Sequence, residues 1–152
     1  MNQLGIIIFM FFVGSLIALQ GSVNSALGKY LDHPLHAAIV SFSIGIIVLL
    51  MASVLLKAGL PNPSKVFAAP KTILIGGALG AVFVTSVILS VPKVGVANVV
   101  MAALCGQIIL SILLDHFGAF GTEVRSIDLK RIIGASLVII GVVLVSLPKS
   151  PS

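Results

Sequence analysis

Gln107, Ser111 and Asp115 recur at every fourth position inside the run Val94 to Gly118, VGVANVVMAALCGQIILSILLDHFG. On a helix of 3.6 residues per turn that spacing sets an amide, a hydroxyl and a carboxylate along one slowly drifting stripe. Such a stripe can hydrogen-bond a solute and, at the Asp115 end, attract a cation or exchange a proton. A second pair of amides, Gln20 and Asn24, stands one turn apart in Gln20-Gly21-Ser22-Val23-Asn24-Ser25. An amide in hydrocarbon must find its partner in a neighbouring helix, a water or a ligand, since nothing else there will bond it. Gln20, Asn24, Gln107 and Ser111 are therefore the candidate substrate-binding residues. The plainer alternative is an interhelical hydrogen bond, worth about 0.6 kcal/mol. Asp115, with His116 beside it, is the candidate entrance or coupling group. A carboxylate at a helix C-terminus opposes the macrodipole at a cost of about 0.3–1 kcal/mol, and His116, Arg125, Lys130 and Arg131 can compensate it. Asn98, nine residues before Gln107, falls on the opposite side of the helix.

Other chemistry lacks its parts. There are no paired carboxylates in apolar surroundings, no His/Cys ligand spacing, no phosphate-binding glycine loop before a lysine, and no nucleophile with a base. No enzyme, cofactor or metal site is expected. His33 and His36 flank the start of an apolar run and read as interfacial residues. Cys105 is the single cysteine and lies inside an apolar run, so no disulfide framework is possible.

The elements that position these residues follow from composition. With 59% hydrophobic residues, 9% charged and a mean hydropathy of +1.26 over 152 residues, the chain has more apolar surface than a soluble core could hide. Its solvent is lipid. Nine Lys and Arg against four Asp and Glu give +5. The basic residues sit between apolar runs rather than in a patch interleaved with aromatics, so they read as topology signals and not as a nucleic-acid surface.

Five apolar runs appear, approximately residues 4–27, 35–56, 72–91, 94–114 and 132–147. The expected fold is an all-α integral membrane protein, a bundle of five transmembrane helices forming one domain over residues 1–152. Val94 to Leu114 is free of charge over 21 residues, about 31 Å at 1.5 Å per residue, against a hydrocarbon core of about 30 Å. The first run has no basic n-region and carries Gln20 where a small residue would precede cleavage, so it reads as a retained helix. The fifth is the shortest, and can borrow Leu129 while Lys130 and Arg131 snorkel outward. Between the third and fourth runs Pro92 is expected to stop the helix and Val91 to Gly95 to reverse the chain into a tight hairpin.

Small residues mark packing faces: Ser41 with Gly45, Gly76 with Gly80 in a GxxxG spacing, and Gly134 with Gly141 seven apart. The last pair is also a candidate face between chains. Loops two and four hold Lys57, Lys65, Lys71, Arg125, Lys130 and Arg131, against Lys29, Lys93 and Lys149 on the opposite side. That asymmetry favours an inside N-terminus but is modest, which leaves room for a second chain inserted upside down. Five helices are few to enclose a solute path, whereas ten in two inverted halves make a pocket at the midplane. The chain reads as one unfused half.

Gly77 to Gly121, with Gln20 and Asn24 upstream, resembles the YdcZ-like family of short proteins in the drug/metabolite transporter superfamily. Its most specific parts are the Pro92-to-Gly95 turn, Gly106-Gln107, and Asp115-His116-Phe117-Gly118 with Gly121. The resemblance covers essentially the whole chain. It implies a multi-pass protein of the bacterial inner membrane that exports small solutes as an antiparallel homodimer, or as a heterodimer with a paralogous half. The Gly134 and Gly141 spacing is also similar to the dimer-forming glycine heptad of the related small multidrug resistance family. Proton-coupled members of that family use a glutamate in the middle of helix one, whereas the first run here has no acid. Asp115 is then the one carboxylate placed to substitute.

Four functions remain to be weighed. The first is a secondary transporter of a small polar metabolite or drug-like solute, with amides suited to an uncharged or weakly charged ligand. The alternative from another class is a non-transporting subunit that stabilises a partner membrane protein. A small channel would need a more continuous polar lining, and a lipid-modifying enzyme would need chemistry the chain lacks.

Overall fold

The computed structural model describes residues 2–146. It is 83% helical, with no strand among the described residues. Five helical segments are long and apolar enough to cross a membrane. They are α1 (Gln3–Tyr30), α2 (Pro34–Leu55), α4 (Gly76–Val94, preceded by a 3-10 turn at Lys71–Ile73), α5 (Val96–Phe117) and α6 (Leu129–Ser146). A sixth, short helix, α3 (Pro63–Ala68), lies in the connection between α2 and α4. The expected C-terminal residue of the last run, Leu147, and the lysine counted at Lys149 lie outside the described residues. The chain divides into two compact units, Met1–Lys93 and Val94–Ser152.

In the first unit the helices meet where side chains are small. Gly21, Asn24, Ser25 and Gly28 are the buried residues of α1. Their spacing of three and four puts them on one helix face. A Cβ on Gly28 would stand 2.8 Å from Cγ2 of Ile88 and 3.8 Å from Cβ of Ala37, and one on Gly21 would stand 3.1 Å from Cγ1 of Val87. Ala37, Ala38 and Ile88 form the buried apolar cluster, with Leu27 and Val84 packed on it. Without a hydrophobic drive between helices in lipid, such close approach and its dispersion contacts hold the unit together. Of the glycines in the expected GxxxG face, Gly80 lies against Phe42, whose ring a Cβ added at Gly80 would meet at 3.6 Å, while a Cβ at Gly76 would meet no atom of a described residue within 4 Å.

The link from α1 to α2 is three residues long. Asp32 takes a left-handed conformation, φ 56°, which Asp tolerates better than most residues. His33 then caps α2, its Nδ1 accepting from the Leu35 N–H at 3.2 Å, and Pro34 fills the first helical position, where no N–H is needed.

Pro92 does not stop its helix. α4 continues through it to Val94, and the break falls at Gly95, whose φ of 84° and ψ of 159° lie in a region open essentially to glycine alone. A proline in the last turn removes one intrahelical bond, to the Ile88 carbonyl, and leaves φ helical. The positive φ of glycine is what ends the helix.

In the second unit Gly118, φ 59°, closes α5, its N–H donating to the Asp115 carbonyl at 3.3 Å. Asp128 caps α6, its Oδ1 accepting from the Arg131 N–H at 2.8 Å. The helix therefore starts at Leu129, three residues before the apolar run begins, and reaches 18 residues, about 27 Å at 1.5 Å per residue.

Candidate functional site

Gln107 is the twelfth of the 22 residues of α5, at its midpoint. Ser111 and Asp115 follow at about 6 and 12 Å along the axis. Gln107 is exposed along the helix and makes no side-chain hydrogen bond to a described residue. The Ser111 hydroxyl instead donates back to the carbonyl of Ile108 at 2.9 Å, a local bond that satisfies it within its own helix. Asn98 does the same at the start of α5, donating through Nδ2 to the Val94 carbonyl at 2.9 Å.

Asp115 is half-buried and held. Its Oδ2 accepts from Nη2 of Arg131 at 3.0 Å. Arg131 also donates through Nη1 to the Arg125 carbonyl at 3.2 Å. The connection from α5 to α6 folds against the helix end: the Arg125 N–H donates to the Asp115 carbonyl at 2.9 Å, and the Ile127 N–H to Nδ1 of His116 at 3.4 Å. Of the four groups able to compensate Asp115, Arg131 reaches its carboxylate and His116 serves the loop backbone. The Arg125 side chain turns to Glu123, 2.9 Å away. That carboxylate raises the guanidinium pKa, first by its hydrogen bond and then by its charge, so Arg125 stays charged and occupied.

In the first unit the two amides of α1 occupy different surroundings although they are one turn apart. Asn24 is 6% exposed and its neighbour Ser25 4%, whereas Gln20 is exposed. Neither Asn24 nor Ser25 makes a side-chain hydrogen bond to a described residue, yet no fully enclosed side-chain N or O among the described residues lacks a partner. Their polar atoms thus hold what little access these residues retain. Ser25 belongs with Asn24, and the signal for it was present: i, i+1 polar residues flanked by glycines three residues before and after.

Gly134 and Gly141 on α6 are exposed, with no atom of a described residue within 4 Å of a Cβ placed on either. No three His, Cys, Asp or Glu side chains converge as metal ligands among the described residues.

Five membrane-length helices with isolated amides along two of them define an all-α, multi-pass integral membrane protein. Residues 5–144 match the family described as "Putative inner membrane exporter, YdcZ", and the chain belongs to that family. It is accordingly a multi-pass inner-membrane protein of an exporter family. No curated protein and no solved structure gives a significant match.

Proposed function

We propose that the chain is one half of a secondary transporter that exports a small polar metabolite or drug-like solute across the bacterial inner membrane. Two chains inserted in opposite senses, or one chain and a paralogous half, pair and rock to give alternating access. Gln20, Asn24, Gln107 and Ser111 bind the solute by hydrogen bonds, and Asp115 with His116 stands at the entrance. Gly134 and Gly141 offer a smooth face for the partner helix.

The observation that carries the reading is Gln107. It is an amide at the midpoint of a membrane-length helix, exposed, and without a hydrogen bond to a described residue. Lipid cannot satisfy it, so a solute, a water or a partner chain must. Ser111 supports the reading less, because its hydroxyl already has a carbonyl.

An untargeted comparison tests this without naming the solute in advance. Cells expressing the chain or Gln107→Ala at matched protein levels are compared by mass spectrometry of the medium. The exporter reading predicts a solute enriched by the parent chain and not by the variant. Equal enrichment by both removes Gln107 from the site. No solute enriched by the parent over cells lacking the chain, with stronger induction needed to bring Gln107→Ala to the matched level, supports the non-transporting subunit, in which the amide joins helices.

A further inference from the structure

We propose that the end of α2 and the loop folded back on it bind one anionic glycerophospholipid, with the acyl chain in an apolar groove and the phosphate at Lys57. The backbone builds the site. The Lys57 N–H donates to the Val54 carbonyl at 3.1 Å and the Ala58 N–H to the Ser53 carbonyl at 2.9 Å, the paired bonds of a Schellman cap. The Ser53 hydroxyl reaches on to the Gly59 carbonyl. This cap turns the chain back along the helix it has just left.

The fold-back leaves a groove of about 400 Å³ lined by Ile46, Leu49, Leu50, Leu60 and Pro61. A second concavity of about 270 Å³ shares Ser53, Gly59 and Leu60 with it and adds Lys57. The apolar part therefore lies along the last turns of a spanning helix, and the cationic part begins two residues past its end. Apolar groove followed by ammonium at the hydrocarbon boundary is the order of acyl chain and phosphate in a lipid.

Charge favours an anionic lipid. No Asp or Glu occurs anywhere between Asp32 and Asp115, while the loop carries Lys57, Lys65 and Lys71. Lys57 also occupies the capping position with φ 52°, a left-handed conformation that glycine adopts freely and lysine does not. The fold thus keeps a charge where the backbone alone would favour glycine. A soluble phosphate would use the lysine but leave the groove open to water, and a zwitterionic lipid would use the groove but gain little from the net charge.

The intact chain in mild detergent is titrated with phosphatidylglycerol and separately with phosphatidylcholine, with bound lipid counted by native mass spectrometry and melting followed in parallel. The parent should retain one phosphatidylglycerol in preference to phosphatidylcholine. Lys57→Gly should melt no lower than the parent, its left-handed cap relieved, yet bind phosphatidylglycerol about fivefold more weakly, the ~1 kcal/mol of one lysine near an anionic surface. Leu60→Ser should weaken both lipids, and Lys65→Ala should leave the first bound lipid unchanged. The proposal is overturned if Lys57→Gly binds as the parent does, if Lys65→Ala loses as much as Lys57→Gly, or if millimolar inorganic phosphate displaces the lipid.

Discussion

Replacing Gly28 with alanine separates helix propensity from packing. In a helix interior alanine is favoured over glycine by about 0.5–1 kcal/mol, and at Gly14, where an added Cβ meets nothing within 4 Å, that gain should appear in full. At Gly28 the new Cβ would stand 2.8 Å from Cγ2 of Ile88, 3.7 Å from Cα of Pro34 and 3.8 Å from Cβ of Ala37. Cγ2 is fixed to the branched β carbon of a side chain only 3% exposed, and its neighbour Ala37 is fully buried. Overpacking of this kind costs about 1–3 kcal/mol, so Gly28→Ala should lower stability by roughly 0–2.5 kcal/mol after the propensity gain is subtracted. Unfolding followed by circular dichroism in mixed micelles of rising SDS fraction should then give opposite signs for Gly14→Ala and Gly28→Ala. Ile88→Ala removes the clashing methyl, so the double variant Gly28→Ala/Ile88→Ala should be more stable than the two single changes predict, by about 0.5 kcal/mol or more. Equal stabilisation by both glycine replacements, or strict additivity with Ile88→Ala, would refute the close approach as the basis of the first unit.

Asp115→Asn removes an ion pair about a third exposed, worth about 0.2–1 kcal/mol, and also a charge that opposes the α5 dipole by about 0.3–1 kcal/mol. The two nearly cancel, so stability in the same micelle titration should change by less than ~1 kcal/mol; if Asp115 couples transport to protons, export should lose its pH dependence, and an unchanged pH profile would leave the residue a structural one. Gly95→Ala places a side chain at φ 84°, ψ 159° and should cost about 1–3 kcal/mol. A neutral effect would show that the break between α4 and α5 can be made with another conformation.

The five spans are legible because lipid imposes one requirement, an apolar run of about 20 residues, that composition records directly. The compensation of Asp115 was narrowed to four groups by sequence, and the choice of Arg131 needed the loop that brings α6 back to the end of α5. Pro92 misled because proline is read as a helix stop, whereas in a final turn it costs one bond and Gly95 makes the break. Periodicity put Gln20 and Asn24 on one face but could not give them different surroundings. That difference depends on Val87 and Ile88, about sixty residues away, crossing α1 at Gly21 and Gly28. The short helix α3 had a local signal, Asn62 before Pro63, and Asn62 Oδ1 does cap it, accepting from the Ser64 N–H at 2.9 Å. The tight glycine contacts of α1, at Gly21 and Gly28, are not legible in the sequence, because it marks small residues and not which of them a bulky neighbour will meet.

Sidedness tests the inverted pair most directly. With Cys105→Ala removing the native thiol, Ser64→Cys in α3 places a label site in the loop between α2 and α4. Intact cells are treated with a membrane-impermeant maleimide and the labelled share is counted against lysed cells. An antiparallel homodimer built from one chain predicts that about half the molecules label. Labelling of all or none would show a single orientation and contradict the homodimer, leaving an oppositely inserted paralogous half as the partner the account requires.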